Sequence, residues 1–95
     1  MTFLDPLFNP RSIALIGAAH TEEKFGGVVL KNLLRFRGRV YPVNPNYTHL
    51  MGLEAYPSVE ELPEPVDLSI IIRPAAEVPE ILKAHKQRAK CAIIM

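Results

Sequence analysis

The chain has no tryptophan, a single cysteine, and no Asp or Glu anywhere from Phe25 to Leu53. Each shortage removes a class of explanation. One cysteine, Cys91, excludes an internal disulfide and any cysteine-built metal cluster, a usage that suits a reducing compartment. Set in the apolar "KCAIIM", Cys91 reads as a small hydrophobe on a strand. No apolar run approaches the roughly 18 residues that a membrane span requires, and "MTFLDPLFNPRS" lacks the basic-then-apolar plan of a secretory signal. An excess of one charge is missing too, with 11 Lys and Arg against 10 Asp and Glu, and neither nucleic acid nor membrane is an expected partner. What is present is 95 residues, 48% hydrophobic and free of low-complexity tracts. That reads as one small cytoplasmic domain, residues 1–95, with a limited core.

The elements alternate. "SIALIG" (12–17) and "DLSIII" (67–72) are isoleucine-rich runs between turn formers, as expected of strands buried on both faces of a parallel sheet. "RVYPVN" (39–44) is a third strand, its Pro42 tolerable only near a strand end or at an edge. "CAIIM" (91–95) is a fourth. Between them, Val28, Val29, Leu33 and Phe36 recur at helical spacing with Lys31, Asn32 and Arg35 turned outward. Val78, Ile81, Leu82 and His85 repeat the pattern before a basic end at Lys86 to Lys90. Residues 45–66 suggest a short edge strand near Ala55 and Tyr56 and a helical turn begun at Ser58, where "SVEE" has capping-box spacing. The fold class is α/β, a Rossmann-like parallel sheet with helices on both faces.

In such a sheet the ligand sits beyond the carboxyl ends of the strands, where successive connections diverge, and the first turn carries glycines that let phosphate approach the backbone. Gly17 ends the first strand. Gly26 and Gly27 open the next helix, whose free N–H groups favour an anion. The interval "AAHTEEKF" is too long for the compact G-x-G-x-x-G of a dinucleotide enzyme, so the loop bulges outward. A structural reading stands beside this one: Gly17 permits a tight turn, and the glycine pair lets helix and sheet pack closely.

The second strand end is more discriminating. NAD-binding folds place an acid there to bind a ribose hydroxyl, whereas this chain reads "VNPNYTHLMG" with Lys31, Arg35, Arg37 and Arg39 upstream. Amide donors and nearby cations would accept a ribose that bears a phosphate, which points to NADP or coenzyme A rather than NAD. The basic residues are otherwise a solvated helix face and loop.

"LDPLFNPRSIALIGAA", "KFGGVVLKNLL", "GRVYPVNPNY" and "GLEAYPSVEELPEPVDLSIII", in that order, resemble the amino-terminal coenzyme A-binding domain of the NDP-forming acyl-CoA synthetases. That family includes the ADP-forming acetate–CoA ligases and is related to the alpha subunit of succinyl-CoA synthetase. The resemblance runs from about Leu4 to Met95. It implies that the CoA phosphates are wrapped by Gly17, Ala18, Ala19, His20 and the Lys24, Phe25, Gly26, Gly27 element, with the Lys24 ammonium as a phosphate partner. It places Val43, Asn44, Pro45 and Asn46 beside the adenosine, and Ile72, Arg73, Pro74 and Ala75 on the opposite wall, at the end of a strand lying beside the first. Two positions depart from the family pattern. Ala19 stands where Ser or Thr is usual, which removes a hydroxyl worth about 1 kcal/mol to a phosphate. Arg73 stands where a small or aliphatic residue is usual, and it either reaches the phosphate or blocks the crevice.

The resemblance places no catalytic residue in this chain. In the resembled ligases phosphate passes through a phosphohistidine in a later domain to a nucleotide held by an ATP-grasp domain, and neither region lies within these 95 residues. Of the three histidines, His20 falls in the candidate ligand loop, His49 in a polar loop and His85 on the second helix. None has an acid spaced to orient a nucleophile. Glu22 and Glu23 read as solvent-facing charge near a helix start rather than an acid and base. No metal site is expected. "CAIIM" would form an apolar strand at the sheet rim with nothing to guard it, so the expectation is that the parent continues past Met95 or that a partner chain covers the edge. The expected partners are coenzyme A or acyl-CoA, and the remaining ligase domains or subunit or a second copy of the chain. Two other readings are a CoA-binding regulatory module, as in a protein acetyltransferase or a stand-alone CoA sensor, and an NADP-binding oxidoreductase domain.

Overall fold

The computed structural model describes residues 9–19, 21, 24–85 and 88–95. The elements run β1 (Ser12–Ile16), α1 (Phe25–Leu33), β2 (Arg39–Val43), the short pair β3 (His49–Leu50) and β4 (Leu53–Glu54), a 3-10 turn (Val59–Glu61), β5 (Val66–Ile71), a second 3-10 turn (Ala75–Glu77), α2 (Val78–Ala84) and β6 (Ala89–Ile94). The main sheet has the order β2-β1-β5-β6, and all its pairings are parallel.

All five residues of β1 are buried, because this strand has neighbours on both edges and cover on both faces. Ala14 and Ile16 join Val78, Ile81 and Ala84 of α2 and Val59 of the first 3-10 turn. Ile13 and Leu15 pack on the other face with Val29, Leu30 and Leu33 of α1 and with Leu50, Leu53 and Ala55. Leu15, Leu30, Leu50 and Ile71 are fully buried, each contributing roughly 1.5–3 kcal/mol of transfer free energy. The two helices thus cover opposite faces, the Rossmann-like arrangement expected from the alternation.

Pro42 sits inside β2, fully buried. It is tolerated because β2 is an edge strand and Pro42 turns its backbone away from β1. The Val43 carbonyl accepts from Gly17 N at 3.1 Å on the inner side, while the Pro42 carbonyl accepts from Tyr56 N at 3.0 Å on the outer side. No ladder donor is lost. Tyr56 forms the parallel bridge to Val43 that the sequence places near Ala55 and Tyr56. The β3–β4 hairpin turns on Met51 and Gly52, both with positive φ (49° and 85°), the backbone of a two-residue primed turn.

Three sequence expectations need correction. In and just after α1, Val29, Leu33 and Phe36 pack against the sheet as their spacing predicts, but the buried positions of the helix are Gly26, Gly27 and Leu30, and Val28 faces out at 37% exposure. The glycine pair brings the helix start onto the β1 turn and so rotates Leu30, rather than Val28, toward the sheet. On α2, Val78 is buried but Leu82 is 40% exposed. The turn begun at Ser58 forms through its backbone, Glu61 N donating to Ser58 O at 3.1 Å, but Ser58 makes no side-chain cap.

Candidate functional site

The chain leaves β1 toward β2 across one face and leaves β5 toward β6 across the other. A crevice at the carboxyl ends of the strands follows from that divergence. A cleft of about 380 Å³ lies there, on the α2 face. It is lined by Ile16 and Gly17 from β1 and its turn, Val43 to Asn46 from β2 and its turn, Pro57 to Val59 from the 3-10 turn, and Arg73, Glu77, Glu80, Ile81 and Ala84.

Backbone contacts tie the three strand ends together. Ile72 N donates to Ile16 O at 2.8 Å, and Gly17 N to Val43 O at 3.1 Å. Gly17 has φ +95°, and a Cβ placed on it would lie 2.2 Å from Ile72 O, so this turn approaches the β5 end as only glycine permits. Asn44 links the turns by side chain: its Nδ2 donates to Ala18 O at 2.8 Å, and its Oδ1 accepts from Asn46 N at 2.9 Å.

Six of the sequence-predicted residues therefore come together in one cleft: Gly17, Val43, Asn44, Pro45, Asn46 and Arg73. Ala18 and Ala19 are buried behind the turn, and Ile72 belongs to the core cluster on the α1 face. Pro74 and Ala75, next in the chain to Arg73, are exposed and do not line the cleft, and neither do the exposed Lys24 and Phe25 at the start of α1. Gly26 and Gly27 are packing glycines. A Cβ on Gly26 would meet Gly17 O at 2.0 Å, and one on Gly27 would meet Thr21 O at 1.7 Å. His20, Glu22 and Glu23 lie outside the described residues.

The basic cluster upstream of "VNPNY" is not at the cleft. Arg39 pairs in register with Ser12 at the amino end of the sheet, about 13 Å of strand away from Val43, and its guanidinium binds Glu64 at 2.5 Å. Local sequence distance concealed this, because a strand carries its two ends to opposite rims. Among the described residues that line the cleft the one cation is Arg73, whose guanidinium makes a two-pronged pair with Glu77, Nη2 to Oε2 at 2.8 Å and Nε to Oε1 at 3.2 Å. Glu77, Glu80 and Ser58 were missed as wall residues. The four-residue spacing of Arg73 and Glu77 was the available signal for one of them.

His85 has a structural role. It is 5% exposed, its Nδ1–H donates to Ile81 O at 2.7 Å and its Nε2 accepts from the Ser69 hydroxyl at 2.6 Å. That bond anchors α2 to β5 and leaves neither side chain facing the cleft. Among the described residues no group of His, Cys, Asp and Glu could hold a metal ion, and no helix is long and apolar enough to cross a membrane.

A Rossmann-like sheet with a glycine turn, an acid-free β2 end and a cation at the β5 end has the donors a phosphorylated nucleoside needs. The chain belongs to the CoA binding domain family, which it matches over residues 11–95. More narrowly, it is homologous to the amino-terminal part of the ADP-forming acetate–CoA ligases. It is 46% identical over 84% of its length to the ADP-forming acetate–CoA ligase I of Archaeoglobus fulgidus, of which it covers 12%. It is 48% identical over 83% of its length to the alpha subunit of the ADP-forming acetate–CoA ligase II of Pyrococcus furiosus, of which it covers 18%. The dinucleotide-forming acetyl-coenzyme A synthetase 1 of Ca. Korarchaeum cryptofilum, in complex with phosphate and ADP, superposes with a TM-score of 0.88 at 40% identity over 94% of this chain and 20% of that one. The chain thus spans a fifth or less of the length of these relatives.

Proposed function

We propose that the chain captures coenzyme A at the carboxyl ends of β1, β2 and β5, as the CoA-binding part of a cytoplasmic NDP-forming acid–thiol ligase. The turn at Gly17, Ala18 and Ala19, with Lys24 at the start of α1, faces the phosphates. Val43 to Asn46 border the adenosine, with Asn44 as the bonded polar member of that wall, and the segment Ile72 to Ala75 stands opposite, where Arg73 lines the cleft, Ile72 backs it, and Pro74 and Ala75 form its outer edge. The ligase chemistry belongs to phosphohistidine and ATP-grasp regions supplied by other domains or a partner subunit.

The observation that carries this reading is the meeting of Gly17, Asn44 and Arg73 in one cleft whose β2 wall has no acid. Asn44 stands where a dinucleotide fold sets its carboxylate, and its amide is committed to Ala18 O and Asn46 N. An uncharged amide in place of that carboxylate keeps the wall neutral, and its two bonds fix its orientation. A coenzyme with an added sugar phosphate meets no repulsion there.

Calorimetry of the 95-residue chain against CoA, dephospho-CoA and NADP tests it. CoA is expected to bind more tightly than NADP, and the reverse order would overturn the reading. Asn46→Asp places a carboxylate on the exposed β2 turn without disturbing a packed atom. It is expected to weaken CoA about tenfold, roughly 1.4 kcal/mol. The glycines of α1 are unsuitable for this purpose, since any Cβ there strikes backbone.

A further inference from the structure

Between Arg39 and Arg73 the sequence contains no Lys or Arg. The walls of the cleft built by the β2 turn and the first 3-10 turn therefore bring no cation, and on the α2 side Glu77 and Glu80 bring carboxylates, Glu80 paired with Lys83 at 3.3 Å. Among the described residues that line the cleft, an anionic ligand has one guanidinium to meet and two acids to avoid. Arg73 sits against the glycine turn, its Cδ 3.3 Å from where a Gly17 Cβ would stand. Its side chain is 43% exposed, and its fork is closed on Glu77, four residues on in the same segment.

We propose that Arg73 is the residue that selects the diphosphate of coenzyme A in this chain, held in reserve by Glu77 until the ligand displaces the carboxylate. This rests on the CoA reading above and assigns within it the group that receives the charge. The exposed Arg73–Glu77 pair is a weak lock, because solvent screens both partners. A diphosphate offers the same fork geometry with more charge, so the guanidinium exchanges one oxyanion for another without leaving the turn. Contact with the Gly17 turn, where the CoA reading sets the diphosphate, assigns Arg73 to that group and not to the ribose phosphate. The arrangement also answers the alternative that Arg73 blocks the crevice: the blocking pose and the binding pose differ in which oxygens occupy the fork.

The test is calorimetry on the unmodified chain and on Arg73→Ala, Arg73→Lys and Glu77→Gln, each with CoA and dephospho-CoA, with circular dichroism confirming the fold. Arg73→Ala is expected to weaken both ligands equally, by about tenfold to a hundredfold. Arg73→Lys recovers only part of the loss, since an ammonium lacks the fork. Glu77→Gln is expected to tighten both ligands about twofold to fivefold by removing the competitor. Unchanged binding by Arg73→Ala overturns the proposal, and a loss confined to CoA overturns the assignment to the diphosphate. Unchanged or weaker binding by Glu77→Gln removes the role given to Glu77. If the unmodified chain binds neither ligand, the CoA reading falls and this inference with it. If it binds both and Arg73→Ala binds them equally well, only this inference falls.

Discussion

The two ends of the sheet are held by different means. At the amino end, side chains stitch distant segments together. Asp67 accepts from the Arg11 backbone N–H at 2.8 Å and meets Lys90 at 3.2 Å. Glu64 receives Arg39 and the Tyr41 hydroxyl, and Arg88 reaches the Leu62 carbonyl. Burial, followed by the hydrogen bond to Glu64, pushes the Tyr41 phenol up to about 12. At the carboxyl end the strand tips are joined mainly by backbone contact around Gly17, and the ion pair there, Arg73 with Glu77, is local. Charged side chains are consumed across the fold where the sheet begins, whereas where it ends Asn44 alone ties two turns together and the charged pair of Arg73 and Glu77 is left exchangeable. A binding rim needs that division, because a donor committed to the fold is not available to a ligand without loss of stability.

The sharpest way to break the comparison is to fill the space that the carboxyl end keeps empty. Gly17→Ala imposes a side chain on a φ of +95° with a carbonyl oxygen 2.2 Å from its Cβ. A loss of about 3 kcal/mol is expected from strain and overpacking together, a large share of what a domain of this size possesses. Urea denaturation measures it. A shift below roughly 1 kcal/mol would show that the rim yields and that close backbone approach is not what joins it.

Next in size is Asp67→Asn at the other end. The hydrogen bond from the Arg11 backbone, then Lys90, holds the Asp67 carboxyl below its usual 3.8 against the opposing effect of burial. A carboxyl whose folded value is depressed contributes stability above the unfolded value and loses it as pH falls through the folded one. The variant is expected to be about 1 kcal/mol less stable near neutrality. Its deficit should shrink as pH is lowered through and below 3.8, and CoA affinity should stay unchanged. A deficit that persists at low pH would assign the effect to packing rather than to charge.

The sequence made the strands and the crevice legible for a physical reason: "SIALI" and "VDLSII" must bury both faces, and only a parallel interior offers that. Gly17 was legible because it ends such a strand. In and just after α1 the spacing identifies Val29, Leu33 and Phe36 but not the exchange of Val28 for Leu30, because the two are equally apolar and the choice between them is made by how closely Gly26 lets the helix start approach Gly17, a tertiary fact. Glu77 and Glu80 were hidden because their importance depends on α2 lying over the β1 and β2 ends, which no local pattern states. The cations at 31–39 misled in the opposite direction. Proximity to "VNPNY" along the chain became distance in space once β2 extended between them.

That last point yields the smallest effect and the cleanest separation of the two ends. Arg39 has a side chain 61% exposed and pairs with Glu64, so Arg39→Ala is expected to cost at most about 0.5–1 kcal/mol, less as salt is raised. With about 13 Å of strand between it and the cleft, beyond one Debye length at physiological salt, its removal should leave the CoA dissociation constant within twofold at 0.15 M salt. The same variant at 0.01 M salt is a stricter probe, because screening then reaches about 30 Å and a cluster that steers the ligand from afar would reveal itself. A fivefold loss at physiological salt would mean that the amino-end cations act on the ligand after all, and the division of labour between the two rims would fail.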